Sequence, residues 1–222
     1  MSFPRMSPGD RIVVVVFVLY VALLAVLPLV MSPQDLAFTF SEEGVFERAS
    51  IVGWIAVAAV VMLRIRPLDV RASAFTALFL VFAAREADWH KAFTADSIFK
   101  NAYYRRTPAP FEEKLIAGIV ALALLALFVY VIYVSVRFLV LERGWRSRAG
   151  GWLAFALFLL FAFKAVDRAP AILEVDYGIV LPEIVKLYAS AFEEGVESFL
   201  PVIFGWSAWI SQDERRYLSS GR

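Results

Sequence analysis

The sequence predicts an all-α fold: a polytopic integral membrane helix bundle with six transmembrane helices and both termini cytoplasmic. Composition is the first reason. Of the 222 residues 61% are hydrophobic and 19% charged, with a mean hydropathy of +0.70. A soluble domain runs about 45–50% apolar and about 25% charged. This chain therefore holds more apolar side chain than one water-wetted globule can hide. The second reason is that the apolar residues gather into six segments. The third is where arginine falls between them.

The first segment, Ile12–Val30, has 19 residues without a charge, follows Arg5 and Arg11, and leaves through Leu-Val-Met-Ser-Pro. The apolar region of a signal peptide is about 7–15 residues and ends at small residues, so an uncleaved anchor is expected. Ala49–Leu63, Ala72–Ala84, Leu115–Val136, Gly150–Phe163 and Ser198–Ile210 follow, with charge-free lengths of 15, 13, 22, 14 and 13 residues. Crossing ~30 Å of hydrocarbon takes about 20 residues. Of these five, only Leu115–Val136 is long enough alone. The others must draw in flanking residues or thin the bilayer.

Orientation sets the direction of that extension. Basic residues favour the cytoplasmic side. With the N-terminus inside, 12 of the 22 basic residues fall in the shorter inner loops, and the first outer loop, Ser32–Phe46, has none. Only five acids (Asp10, Asp69, Glu142, Asp213 and Glu214) lie inside, and 16 lie outside. Arg64, Arg66, Arg71, Arg148 and Asp213–Arg216 block inward growth, so the short helices extend outward. The result is one transmembrane domain over 1–222, with spans near 12–31, 45–63, 72–88, 115–137, 150–168 and 193–211.

Outward extension carries charge beneath the outer surface. The second span takes in Glu47 and Arg48, with Glu43 in reach. The third takes in Arg85, Glu86 and Asp88. The fifth takes in Lys164, Asp167 and Arg168 before Pro170 stops it, and the sixth takes in Glu193, Glu194 and Glu197. An ionisable side chain costs about 2.5–3.5 kcal/mol at the bilayer centre. These groups should therefore face one another, in a four-helix core around a polar chamber, with the first and fourth spans at its rim. Four-residue spacing places Glu43 with Glu47, Glu86 with His90, Lys164 with Arg168, and Glu193 with Glu197 on shared faces. Seven acids (Glu47, Glu86, Asp88, Asp167, Glu193, Glu194 and Glu197) meet four cations (Arg48, Arg85, Lys164 and Arg168). The surplus of three carboxylates must be protonated, hydrated or held by a bound cation.

Two outer segments, 89–114 and 171–192, are expected to be interfacial or re-entrant. The first mixes Trp89, Tyr103 and Tyr104 with Lys100, Arg105 and Arg106, a pattern suited to headgroups. In the second, Gly178 and Pro182 break any long helix. Glu-Glu-Gly-Val occurs at 42–45 and at 193–196, each time followed by Gly-Trp, at 53–54 and 205–206. Both motifs read as the outer start of a span, a weak internal repeat. The six tryptophans need no special function, and Trp54, Trp145, Trp152, Trp206 and Trp209 mostly lie near the expected interfaces.

Several chemistries are excluded. There is no cysteine, hence no disulfide, thiol nucleophile or cysteine zinc site. A single histidine, His90, excludes sites that need several imidazoles. A net charge of +1 argues against a nucleic-acid partner. No nucleophile elbow or glycine-rich phosphate loop occurs. What remains is an outward-facing, carboxylate-rich intramembrane site. Read as catalytic, Glu86, Asp88 and His90 supply acid–base groups. A divalent metal would take its ligands from Glu43, Glu47, Glu86, His90, Glu194 and Glu197. Arg85, Lys164, Asp167 and Arg168 would hold an anionic group or serve as counter-ions. The plain alternatives are a solvated interfacial turn around His90, and acids drawn to helix N-termini by the macrodipole, worth ~0.3–1 kcal/mol each.

Three functions are consistent with this pattern: a metal-dependent hydrolase or modifying enzyme of a lipid-linked substrate, a proton- or cation-coupled transporter, and a membrane assembly scaffold. Membrane lipids are the expected partners, with a homo-oligomer left open. The expected location is a bacterial inner (plasma) membrane.

Overall fold

The computed structural model describes residues 6–41, 43–89, 94 and 97–220, with side chains throughout these except at 102 and 213–220. Regular structure among the described residues is helical: α1 (Pro8–Val30), α2 (Pro33–Thr39), α3 (Val45–Arg64), α4 (Val70–Glu86), α5 (Asn101–Arg106), α6 (Phe111–Val136), α7 (Arg148–Tyr177) and α8 (Glu183–Ser220). A π-helical turn, Arg137–Leu141, and a 3-10 turn, Gly144–Arg146, join α6 to α7.

The helix ends follow from local chemistry. Ser7 and Asp10 form a reciprocal capping box ahead of α1, with Pro8 in the first turn. Ser32, Asp69 and Ser147 cap α2, α4 and α7 by accepting a backbone N–H three residues on. Gly178, at φ 67°, closes α7 in left-handed backbone that costs glycine little.

Four helices are long and apolar enough to cross a membrane: α1, α3, α6 with its π-turn (Phe111–Leu141), and α7. The chain is thus an all-α bundle that fits a multi-pass membrane protein. The 17 residues of α4 span ~26 Å at 1.5 Å each. Helix α8 runs for 38 residues but carries acids in its middle.

Helix α8 is the hub, packing on α7, α3 and α1, while α3 packs on α4 and α4 on α6. The main core joins Trp54 and Val57 of α3, Phe79 and Ala83 of α4, Ala156 and Leu159 of α7, and Phe199, Ile203 and Phe204 of α8. The second, third, fifth and sixth apolar segments therefore make the core, and the two most apolar helices, α1 and α6, lie outside it. Their outer faces are bare hydrocarbon, with Leu19 64% and Leu122 67% exposed. Apolar surface on this scale needs a lipid solvent or a partner.

Close approach rests on small residues. A Cβ on Gly195 would meet Leu24 of α1 at 2.5 Å, and one on Gly53 would meet Pro201 at 2.9 Å. Helices α1 and α8 run antiparallel. Tyr20 donates to the Gly195 carbonyl at 2.7 Å, and Tyr188 donates to the Pro28 carbonyl at 3.3 Å.

Two boundaries differ from the sequence reading. Pro170 does not stop the fifth helix, which continues to Tyr177. Proline removes one intrahelical bond and can be absorbed as a kink, whereas Gly178 ends the helix outright. The last helix begins at Glu183 rather than at residue 193, because nothing from 183 to 192 breaks it once Pro182 is past. Residues 171–177 and 183–192 are therefore the ends of two long helices and not a separate piece. In the other outer segment α5 packs back on α6. Tyr103 is fully buried and donates to Glu113 at 2.6 Å, while Tyr104 donates to the Ile98 carbonyl at 2.8 Å.

Candidate functional site: a carboxylate cluster bridged by lysine

The two ends of the bundle hold two different arrangements of buried acid. At one end, Lys164 of α7 lies between two carboxylates of α8, 3.0 Å from Glu193 and 2.7 Å from Glu197. The Glu193 side chain is 4% exposed and that of Glu197 12%. Their four-residue spacing stacks them one turn apart, so both reach one ammonium. From α4 comes Glu86, whose side chain is 12% exposed and which pairs with Arg85 at 3.6 Å. From α3 comes Glu47, hydrogen-bonded to Glu86. Glu194 stands close enough to Glu47, Glu86, Glu197 and Lys164 to feel their charges. All four core helices contribute, and among the described residues five carboxyl groups share two cations, Arg85 and Lys164.

The macrodipole does not account for this cluster. Glu47 lies in the first turn of α3, but Glu193, Glu194 and Glu197 lie far inside α8, which starts at Glu183. A helix terminus acts only over its first turn. The reading of 193–196 as a helix start is thereby corrected. Of the two Glu-Glu-Gly-Val motifs, only the first adjoins a helix start.

Other residues named from the sequence fall elsewhere. Glu43 and Arg48 are exposed. Asp167 and Arg168 are 44% and 77% exposed and pair with each other at 3.7 Å, outside the cluster. They share a helix with Lys164, but one turn is ~5.4 Å along the axis, which carries Arg168 past the carboxylates of α8. Asp88 follows α4 at φ 55°, left-handed backbone that aspartate tolerates better than most residues. His90 lies outside the described residues. Among the described residues, no three His, Cys, Asp or Glu side chains converge so as to hold a metal ion. Of the residues read as metal ligands, Glu47, Glu86, Glu194 and Glu197 lie in the cluster, where the ammonium of Lys164 sits 2.7 Å from Glu197.

The opposite end holds a residue that the sequence reading passed over as one inner acid among five. Asp10 is 1% exposed. Its carboxylate accepts from Ser7 N at 2.7 Å and Ser7 Oγ at 2.8 Å, from Arg148 Nε at 2.8 Å, from Trp152 Nε1 at 2.9 Å, and from Trp206 Nε1 at 3.0 Å. It ties α1 to α7 and α8, and the two indoles are structural donors. The only sequence signal was Ser7 three residues before Asp10. Nothing local pointed to donors 138 and 196 residues away.

No protein-family model, curated protein or solved structure matches this chain.

Proposed function

We propose that this is a bacterial inner-membrane protein with six spans and both termini cytoplasmic, whose carboxylate cluster exchanges protons with the outer side to drive a carrier cycle. The charge imbalance carries this reading: Glu47, Glu86, Glu193, Glu194 and Glu197 share Arg85 and Lys164 across four helices. A hydrogen bond between two carboxyl groups uses one proton, because an ionised carboxylate only accepts. An ammonium shared by two carboxylates shifts when either is neutralised. Proton uptake therefore changes how firmly α7 is held to α8 and α3 to α4. A ligand moves a conformational equilibrium only through such differential contacts. A scaffold whose charges merely join helices has no need of surplus acid. The metal-dependent enzyme, with Glu197 among its ligands, would need Lys164 moved from its 2.7 Å contact with that carboxylate.

The test is a rapid acid jump on proteoliposomes adsorbed to a solid-supported membrane, read as transient current. Wild type moves charge inward. Glu86→Gln and Lys164→Met abolish the current, and Asp167→Asn, outside the cluster, retains it. Silence in the wild type, or an unchanged current in Glu86→Gln, refutes proton exchange.

A further inference from the structure

A lateral cleft of about 630 Å³ lies between α4 and α6, roofed by the residues around α5. That volume falls within the ~300–1,000 Å³ typical of small-molecule sites. The walls are apolar over most of their length, from Gly118 through Leu122 to Phe128 on α6 and along Leu78 of α4. The ten residue steps from Gly118 to Phe128 make this floor ~15 Å long. Polar groups stand at one end only, where Arg85, Asn101 and Tyr104 line the mouth. The floor belongs to the apolar outer flank of the bundle, where Leu122 is 67% and Leu125 56% exposed.

We infer that this cleft binds one anionic phospholipid, with the phosphate at Arg85 and an acyl chain laid along α6. Three observations favour that occupant. Arg85 carries a guanidinium, and its side chain is 53% exposed beside an apolar wall. Its recorded partner is one oxygen of Glu86, at 3.6 Å, while the guanidinium fork offers five N–H donors. Glu47 and Glu194 also lie within its electrostatic reach. Residues 97–107, which roof the mouth, carry Lys100, Arg105 and Arg106 and no acid. Basic side chains at a headgroup surface select anionic over zwitterionic lipid. The long apolar floor then excludes a free phosphate as the natural occupant, since an anion alone leaves the hydrocarbon lining unfilled. The site stands whether or not the carboxylates exchange protons.

The experiment is native mass spectrometry on the purified full chain, delipidated in detergent. It is titrated separately with dioleoylphosphatidylglycerol and dioleoylphosphatidylcholine. Wild type binds one phosphatidylglycerol per chain, about tenfold more tightly than phosphatidylcholine. Arg85→Gln removes that preference. Gly118→Phe fills the cleft beneath Tyr104 and abolishes binding of both lipids. Gly118→Ala retains binding, because its Cβ would sit at an ordinary 3.9 Å from the Tyr104 ring. Leu122→Trp narrows the same cleft from an exposed position and serves should Gly118→Phe fail to fold. Excess glycerol 3-phosphate leaves the bound lipid in place. Equal binding of the two lipids, an unaltered preference in Arg85→Gln, full binding in a correctly folded cleft-filling variant, or displacement by glycerol 3-phosphate overturns the proposal.

Discussion

At one end of the bundle a single buried carboxylate accepts five hydrogen bonds from four residues. At the other, among the described residues, five carboxyl groups share two cations. Both ends bury acid against α7 and α8, which reach from one to the other. The difference lies in compensation. An ionised carboxylate has about four lone-pair sites, and Asp10 has donors for all of them. It gains nothing by changing state and acts as a clamp. The cluster at the far end is shorter of donors among the described residues, and Glu47 and Glu86 hydrogen-bond to each other there. Burial of acid alone does not distinguish the two ends of this fold, but the count of donors does.

Four measurements sharpen or break that comparison. The largest effect is expected at Asp10. Asp10→Ala strands Arg148 and two indoles in a buried site, and removing one partner of a buried pair costs about 3–5 kcal/mol. Thermal unfolding in detergent should show this, with a smaller loss for Asp10→Asn; a melting point close to wild type for Asp10→Ala would end the clamp interpretation. Lys164→Met comes next. Lys164 donates to Glu193 and pairs with Glu197; a charged hydrogen bond is worth about 1.5–3 kcal/mol, and adding Glu193→Gln and Glu197→Gln in the same chain should recover most of the loss. Absence of recovery means that Lys164 acts through packing instead of charge. Glu194→Gln should behave oppositely to Asp10→Asn. Removing surplus acid leaves stability within about 0.5 kcal/mol of wild type or above it, while proton current falls. A strongly destabilised Glu194→Gln would place the two ends in one category.

The smallest effect concerns Tyr103, outside the spans. Its burial, with the Glu113 carboxylate beside it, pushes its phenol from the usual 10 up to about 12. The folded chain keeps a proton that the unfolded chain gives up. The stabilisation is complete below pH 10 and fades as pH rises toward 12. Ultraviolet titration should show one late phenolate transition that Tyr103→Phe removes. If the number of late transitions is the same in both, Tyr103 is not the protected phenol.

Much of this was legible beforehand, for definable reasons. The four helices long and apolar enough to cross a membrane follow apolar segments of the sequence, and the charged flanks identify which four helices gather at the core. Glu193 with Glu197 was readable from spacing alone. Spacing failed for Arg168, which shares a face with Lys164 yet projects into the open. A four-residue step fixes angle around the axis but also moves one turn along it, and what stands opposite belongs to another helix. Pro170 misled for a related reason, because a proline interrupts one hydrogen bond and packing decides whether the helix resumes.

The amino-acid order by itself determined an all-helical chain with lipid-length apolar stretches, and it placed acid on four of its helices, since these depend on side-chain hydropathy and a fixed rise per residue. Only the tertiary structure decided which acids meet. It brought Lys164 between Glu193 and Glu197, set Glu47 against Glu86, and led Arg148, Trp152 and Trp206 to Asp10. Such pairings are set by the register and rotation of helices far apart in the chain, and those are fixed by how Gly53, Gly195 and the aromatic core pack.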